Sequence, residues 1–181
     1  MLDLATHAEE LGLEGVYLND HVLGLFNEAK NPFLEAMTTM AAIGVQTRRI
    51  RIGHIVIFNS LRNPAYLAKT LTTLDHLTKG RLDVLIGAGW NPIEYEGYDL
   101  LGDGKGMPSA GERVNRLIET VDILRGMFKS NEFTYNGRYN KKYCKTRNRS
   151  NRGKLYYFRS RFVILAVFFF QFACKRGNWH A

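Results

Sequence analysis

The sequence predicts an α/β protein built from repeated strand–helix units. Short apolar strand candidates recur about 30 residues apart, and each is followed by a segment with apolar side chains at helical spacing. Strands joined by helices in this way run parallel with right-handed crossovers. The last strand candidate is followed at once by Gly87-Ala88-Gly89. Such glycines are typical of the end of a strand that is buried on both faces and that a ligand approaches closely. The pattern therefore predicts a parallel sheet, either open and doubly wound or part of a barrel.

The elements before residue 50 follow from local end signals. Residues 2–11 are predicted to form an amphipathic helix that ends at Gly12, and the apolar GVYL at residues 15–18 is a short strand. Asn31-Pro32 is expected to cap a second helix that runs to about Gln46. The inward side chains of that helix are expected to be Phe33, Leu34, Met37, Ala41 and Ile43.

The second unit repeats this order. Residues 50–57 are predicted to form a strand, and Asn63 is predicted to cap a helix over residues 64–78. Pro64 suits the first helical position, where a missing N–H costs nothing, and Lys79-Gly80 closes the helix. The core face of this helix is marked by Leu67, Leu71, Leu74 and Leu77.

The third unit begins with a strand over residues 82–88 and continues through a glycine-rich loop. Ser109 and Glu112 then have the spacing of a capping box, which predicts the start of the last long helix. The side chains expected to face the core from this helix are Val114, Leu117, Ile118, Val121, Leu124 and Phe128.

Charge divides the chain into two parts. Residues 1–137 carry all 17 acidic side chains and 13 of the 25 basic ones, a balance of −4. Residues 138–181 carry the other 12 basic side chains and no acidic one, together with 11 of the 22 aromatic residues. The sequence therefore predicts one domain over residues 1–137 and a basic, aromatic-rich tail of irregular structure over residues 138–181.

The start of the chain and its cysteines bear on localisation. Met1 leads into the amphipathic LDLATHAEELG instead of a basic segment and an apolar run, so no signal peptide is expected. The only cysteines are Cys144 and Cys174, so the domain is expected to contain neither a disulfide framework nor a thiolate metal site. The expected compartment is the cytoplasm, where thiols stay reduced.

Asp20-His21 is the first candidate for chemistry, because it follows the strand at residues 15–18. An imidazole beside a carboxylate at a strand end is well placed for proton transfer near neutral pH. An aspartate that satisfies a turn explains the same pair, and both interpretations stay open.

The turn Gly87-Ala88-Gly89 differs from a dinucleotide fingerprint. The third glycine is absent, Pro92 interrupts the pattern, and no helix is expected where a phosphate needs one. The glycines permit a close approach of backbone N–H groups to a flat ring or a phosphate, and a tight strand–helix turn explains them equally well. His54 and His76 are interpreted as hydrogen-bonded structural histidines. No spacing typical of metal ligands occurs, so no metal is predicted.

Four segments in order resemble the bacterial-luciferase-like monooxygenase family. They are AEELGLEGVYLNDH (8–21), RIRIGHIVI (49–57), RNPAYLAKTLTTLDHLTKGRLDVLIGAGW (62–90) and GERVNRLIETVDILR (111–125). The resemblance covers about residues 1–139 and is strongest to members that use the deazaflavin coenzyme F420 instead of FMN. It implies a (β/α)₈ TIM barrel, bound F420 or FMN, and hydride transfer or oxygen activation on a small organic substrate. Relative to that barrel, this chain has about three strand–helix units and lacks the first strand and the second half.

The resemblance also assigns roles to residues at strand ends. Asp20 matches a carboxylate that contacts the cofactor, and His21 matches a proton donor or acceptor. Trp90 stands where some members place a catalytic glutamate, which argues against sugar-phosphate dehydrogenase chemistry. His21 and Trp90 are therefore the expected catalytic positions. The expected cofactor-binding positions are Asp20, the bulge Ile55-Val56 with its cis peptide, Asn59 or the neighbouring Phe58, and Ala88-Gly89.

The tail departs from the family. Its composition, without Asp or Glu and rich in Lys, Asn, Phe and Tyr, is what an AT-rich gene gives when translated out of frame. The leading hypothesis is a truncated, frame-shifted fragment, inactive as written, whose tail is irregular or helical only around residues 162–174. Two alternatives take the tail as selected, either to bind nucleic acid through basic and aromatic side chains or to anchor a membrane surface. The uncharged run at residues 162–174 is shorter than the ~20 residues that span a bilayer.

Partners follow from the leading hypothesis. The family resemblance implies a small-molecule substrate and frequent dimerisation, and neither a nucleic acid nor a membrane is then expected as a partner.

Overall fold

The computed structural model describes residues 1–23, 33–130, 132–140, 143–144 and 161–162. Within these ranges the helices are α1 (Leu2–Glu10), α2 (Ala36–Gln46), α3 (Pro64–Leu77), α4 (Pro92–Gly97) and α5 (Ala110–Lys129). The strands are β1 (Gly15–Leu18), β2 (Arg51–His54), β3 (Ile57–Phe58), β4 (Leu82–Val84), β5 (Ile86–Gly87), β6 (Phe133–Thr134), β7 (Tyr143–Cys144) and β8 (Arg161–Phe162).

A parallel sheet with the strand order β1-β2-β4-β8 organises the fold. β1 pairs parallel with β2, and β2 pairs parallel with β4, which confirms the predicted direction and chain order of these strands. Two predicted strands are each interrupted once. Residues 50–57 divide into β2 and β3 around a cis peptide between Ile55 and Val56, and residues 82–88 divide into β4 and β5. Beyond the interruptions β3 and β5 pair parallel again.

The two faces of the sheet differ in chemistry because side chains alternate along each strand. Ile52 and Leu82 belong to one apolar core with side chains from α2, α3 and α5. On the other face Tyr17 Oη donates a hydrogen bond to Asp83 Oδ2 at 2.9 Å, and Arg51 Nε donates to the same oxygen at 2.9 Å. Helices therefore cover one face, and a linked polar cluster lies on the other.

The start of α2 differs from the prediction. The Glu35 side chain caps the helix by accepting a hydrogen bond from Thr38 N at 2.7 Å. Phe33 and Leu34 therefore precede the helix and are 39% and 54% exposed, so the predicted inward position of both is wrong. The cap predicted at residues 31–32 lies outside the described residues.

The helices α3 and α5 bury most of their predicted faces, with two corrections. Leu77 is exposed because it is the last residue of α3. Ile118 is exposed because it lies one position beyond Leu117, a rotation of about 100° around the helix axis. The predicted residues that are buried are Leu67, Leu71, Leu74, Leu117, Val121 and Leu124.

The helix α4 is absent from the sequence prediction, which placed a glycine-rich loop there. Asn91 caps it by accepting a hydrogen bond from Ile93 N at 3.2 Å, and Pro92 occupies its first turn. The expectation of a loop at these residues is therefore wrong, whereas the mismatch to a dinucleotide fingerprint, with Pro92 where the third glycine would be, is unaffected. Six residues are too few to show an apolar period, and proline is favoured at the first helical position.

The N-terminal ends of the strands are closed by two charged side chains. The Glu9 carboxylate accepts hydrogen bonds from the backbone N–H groups of Arg48, Arg49 and Ile50 at 2.5 to 3.1 Å. The Arg81 guanidinium donates to the backbone oxygens of residues 44, 47, 50 and 78 at 2.7 to 3.0 Å. These bonds join α1, α2, β2 and β4 at one edge of the sheet.

The chain after residue 137 contacts the domain where the structure describes it. The Glu119 carboxylate of α5 accepts hydrogen bonds from the backbone N–H groups of residues 138–140 at 2.6 to 3.2 Å. β8, which the sequence did not predict, pairs parallel with β4. The helix predicted around residues 162–174 shares only Phe162 with the described residues, and there the backbone is a strand.

The alternatives of nucleic-acid or membrane contact rest on the tail over residues 138–181, of which residues 141–142, 145–160 and 163–181 lie outside the described residues. Among the helices in the described ranges, none combines the length and the apolar character that crossing a membrane requires.

Candidate functional site

The predicted site residues meet at the C-terminal edge of the sheet. Asp20-His21 follows β1, Ile55-Val56 follows β2, Asn59 follows β3, and Ala88-Gly89 follows β5. Because these strands run parallel, their C-terminal ends open on the same edge. This is where α/β barrels carry their chemistry.

Asp20 links this edge through a buried ion pair. Its carboxylate accepts a hydrogen bond from Phe58 N at 2.9 Å and two from the Arg62 guanidinium at 2.5 and 2.8 Å. Arg62 also contacts Glu35 at 2.7 Å. Burial alone would lower the pKa of Arg62, but the hydrogen bonds that it donates to Asp20 and Glu35 outweigh this effect and raise that pKa. The carboxylate therefore fixes the backbone at the end of β3 to the end of β1.

The bulge between β2 and β3 forms a small apolar surface beside this ion pair. The cis peptide expected between Ile55 and Val56 is present, and Ile55 N donates to Leu18 O at 2.9 Å. The Val56 side chain lies against Gly87, where a Cβ would come within 2.6 Å of Val56 Cγ2. Ile55 is 54% exposed, so its side chain is available to a ligand at the edge.

Asn59 and Gly89 lie next to this surface. Asn59 is buried, and its Oδ1 has no hydrogen-bond partner within the part of the chain that the structure describes. Gly89 has a φ of +79°, and a Cβ there would overlap the ring of Phe58. Burying a polar oxygen without a partner is costly, so Asn59 Oδ1 is a free acceptor for a ligand group.

The turn after β5 is fixed by hydrogen bonding to Tyr95 of α4. Tyr95 Oη donates to Ala88 O at 3.1 Å and shares a hydrogen bond with Ser60 Oγ at 2.9 Å. Burial is the largest of the effects that raise the pKa of Tyr95, which keeps its hydroxyl protonated. The position of Ala88 is therefore fixed by α4, the helix that the sequence did not predict.

His21 is partly buried between two aromatic rings. Its side chain is 16% exposed, and the rings of Phe33 and Trp90 face it edge-on with centroids 6.4 and 6.1 Å away. His21 Nδ1 lies 2.9 Å from Glu94 Oε2 and 3.1 Å from Glu94 Oε1. Trp90 is 39% exposed, so the two predicted catalytic side chains share one surface.

Glu94 is a site residue that the sequence reasoning missed. Burial alone would raise its pKa, but hydrogen bonds from His21 and from the backbone N–H groups of Val22 and Leu23 outweigh it and lower that pKa. The sequence signal that could have identified Glu94 is Asn91-Pro92, which is typical of a helix start and places Glu94 in the first turn of that helix.

His54 is buried at the end of β2, as expected of a structural histidine, and the backbone of Ala36 lies near its ring. Neither ring nitrogen has a partner at hydrogen-bonding geometry among the residues that the structure describes. Burial lowers the pKa of His54 to about 4. No cluster of three or more His, Cys, Asp or Glu side chains suited to a metal occurs within the described ranges.

Comparison with known proteins agrees with the resemblance seen in the sequence. Residues 1–162 match the sequence profile of the luciferase-like monooxygenase family. An F420-dependent glucose-6-phosphate dehydrogenase of Kribbella flavida is 35% identical over 130 residues, which cover 71% of this chain and 37% of the relative. The chain spans about two fifths of the length of the curated relatives that it matches.

Two solved structures share the fold. The monooxygenase RslO1 from Streptomyces bottropensis has a TM-score of 0.70 at 25% identity, with 90% of this chain and 45% of that protein covered. An F420-dependent secondary alcohol dehydrogenase in complex with an F420-acetone adduct has a TM-score of 0.68 at 26% identity, with 82% and 44% covered. The parallel strands and helices of this chain are therefore part of a (β/α)₈ barrel, as predicted, and the chain belongs to the luciferase-like monooxygenase family.

Proposed function

We propose that this chain forms the cofactor-contacting part of an oxidoreductase that uses coenzyme F420 on a small organic substrate, with FMN as the alternative cofactor. The relative from Kribbella flavida and the secondary alcohol dehydrogenase both carry F420 in their names. The observation that carries the proposal is the edge made by Ile55-Val56, Asn59 and Gly89. There an exposed apolar surface adjoins a buried acceptor that no described residue bonds.

These residues suit a flat, polar-edged ring. Ile55 and Val56 would support one face of the ring, and Asn59 would bond its polar edge. Ala88 and Gly89 would contact the ring with backbone atoms, since a side chain at residue 89 has no room beside Phe58. Asp20 contributes to cofactor binding in this proposal by holding Phe58 N and thereby the position of Asn59.

A deazaflavin held by these residues would supply hydride chemistry at the substrate carbon. His21 takes the matching proton from a substrate hydroxyl, or returns it, because it is a partly exposed titratable group at the same edge of the sheet. Trp90 and Phe33 limit the access of water to the His21 ring. The proposed reaction is therefore the interconversion of an alcohol and a carbonyl compound.

Binding of the cofactor tests this proposal. Purified protein is titrated with F420 and with FMN, following cofactor fluorescence, and F420 is expected to bind more tightly. Asn59→Ala should weaken F420 binding by about 10-fold, because a hydrogen bond contributes about 1 kcal/mol or more. Gln46→Ala is the matched control, since its amide bonds Thr6 at 3.0 Å far from this edge. Equal affinities of the parent and Asn59→Ala would remove this edge from cofactor binding.

The role of His21 is tested in a family member whose turnover is measurable. His21→Ala at the corresponding position should lower turnover by about 10²–10⁴-fold with little change in cofactor affinity, because general acid–base catalysis contributes about that much. Unchanged turnover would exclude the histidine from the proton transfer.

The 181-residue polypeptide by itself is expected to bind cofactor weakly and not to turn over. A closed barrel has no free strand edge, whereas β1 and β8 are edges of the described sheet. The chain also spans only about two fifths of the length of the curated relatives that it matches. Stoichiometric cofactor binding by a monodisperse preparation of this polypeptide would contradict this expectation and the fragment hypothesis together.

The alternative function assigns the basic tail to nucleic acid or a membrane surface. Its support is the excess of 12 basic side chains without an acidic one in residues 138–181. Binding of this kind is strongly salt-dependent. Retention on DNA or on anionic vesicles that is lost at high salt, and lost again when residues 141–181 are removed, would favour this alternative.

A further inference from the structure

Glu94 is a buried acid that the proposed proton transfer does not yet use. Its side chain is fully buried in the first turn of α4. Its oxygens face His21 Nδ1 at 2.9 and 3.1 Å, and Oε1 accepts a hydrogen bond from Val22 N at 2.8 Å. Leu23 N lies 3.4 Å from the same oxygen. The carboxylate therefore contacts the histidine and the backbone that carries it.

An ionised carboxylate determines which ring nitrogen of His21 carries the proton. A carboxylate only accepts hydrogen bonds, so His21 Nδ1 has to be the donor. In a neutral imidazole the other nitrogen, Nε2, is then the acceptor. The hydrogen bonds that lower the pKa of Glu94 also keep this carboxylate ionised.

We propose that Glu94 is a positioning residue that holds His21 as the Nδ1–H tautomer and so presents Nε2 to the substrate proton. The inference rests on the proposed function, in which His21 exchanges that proton. Its structural basis is that α4 starts directly after the turn at Gly89, so one segment carries both a cofactor contact and the group that orients the base. Trp90 packs edge-on against the same ring and restricts its rotation.

Nuclear magnetic resonance of the ring nitrogens tests the proposal on the 181-residue chain. The protein is labelled with ¹⁵N-histidine, His21 is assigned with a His21→Gln variant, and spectra are recorded at a pH where the ring is neutral. The parent is expected to show a protonated Nδ1 and a bare Nε2. A bare Nδ1 in the parent overturns the proposal without any further variant.

Glu94→Gln provides the second measurement, because glutamine has the same shape and its amide can accept or donate. The ratio of the Nδ1–H to the Nε2–H tautomer should fall by about 10-fold or more, since a hydrogen bond to a charged group is about twice as strong as a neutral one. Glu96→Gln is the matched control. It removes an exposed carboxylate from the same helix and should leave the ratio unchanged. An unchanged ratio in Glu94→Gln also overturns the proposal.

This readout separates the proposal from the proposed function. The tautomer is measured without cofactor and without turnover, so the result does not depend on the proposed reaction. A role of Glu94 that is limited to holding the Val22 backbone would leave the tautomer ratio unchanged. A tautomer shift in Glu94→Gln together with equal F420 affinities of the parent and Asn59→Ala would count against the proposed cofactor edge and leave the role of Glu94 in fixing the ring supported.

Discussion

Removing the charge of Asp20 is the most direct test of how the bulge is held. In Asp20→Asn the side chain keeps its shape but gains an amide that donates. Asp20 accepts from Phe58 N and from two nitrogens of Arg62, so the new amide has to face a donor on one side or the other. The substitution therefore breaks part of a buried network and leaves the guanidinium with less compensation.

The expected magnitude follows from burial. Removing one partner of a buried ion pair costs about 3–5 kcal/mol. Arg62 retains Glu35, but the Glu35 side chain is 50% exposed, and exposed pairs contribute at most about 1 kcal/mol. We expect Asp20→Asn to lower the free energy of unfolding by about 3 kcal/mol, which corresponds to a fall in Tm of about 6–12 °C for a chain of this size.

Urea unfolding followed by circular dichroism, checked for two-state behaviour with tryptophan fluorescence, measures this difference. Glu35→Gln is the matched control, because it removes the other carboxylate on Arg62 and should cost less than about 1 kcal/mol. Equal losses in the two variants, or a loss below about 1 kcal/mol in Asp20→Asn, would show that the buried pair does not hold the bulge.

Three further outcomes are expected. The pKa of His54 falls from 6.5 to about 4 on folding, so between these pH values the unfolded chain binds a proton that the folded chain does not. The free energy of unfolding should therefore decline by about 3 kcal/mol as the pH falls through this window. His54→Leu should abolish that decline in urea titrations at pH 7 and pH 4.5. Gly89→Ala should lower the free energy of unfolding by about 1–3 kcal/mol through its positive φ and its contact with a ring, whereas Gly97→Ala, with nothing within 4 Å, should change it little. Glu119→Gln should speed hydrogen exchange of the amides at residues 138–140 by about 10-fold, and equal exchange rates would show that the carboxylate does not anchor this segment.

The strand–helix order was predictable because its signals are local. Asn63 and Ser109 cap helices where the sequence placed the caps, and apolar periodicity identified the buried faces of α3 and α5. The start of α2 was missed because Glu35 acts as a cap through contacts with Thr38 and with Arg62, a residue far along the chain.

The candidate site was predictable in part for the same reason. Asp20 and His21 stand out because they follow a strand, and the strand ends meet once the sheet is parallel. Glu94 did not stand out, because its contact with His21 spans 73 positions and depends on a helix too short to show a period. The burial of His54 could not be predicted from the sequence either, since it depends on what other segments place around the ring.

The bonds made by Glu9 and Arg81 at the N-terminal ends of the strands have an evolutionary consequence. These two side chains join the units of the fold through main-chain groups, which every substitution except proline leaves in place at the neighbouring positions. Exposed side chains at the opposite edge, such as Ile55 and Trp90, take no part in that fastening. Side chains at that edge can therefore vary during evolution while the same main-chain framework is kept.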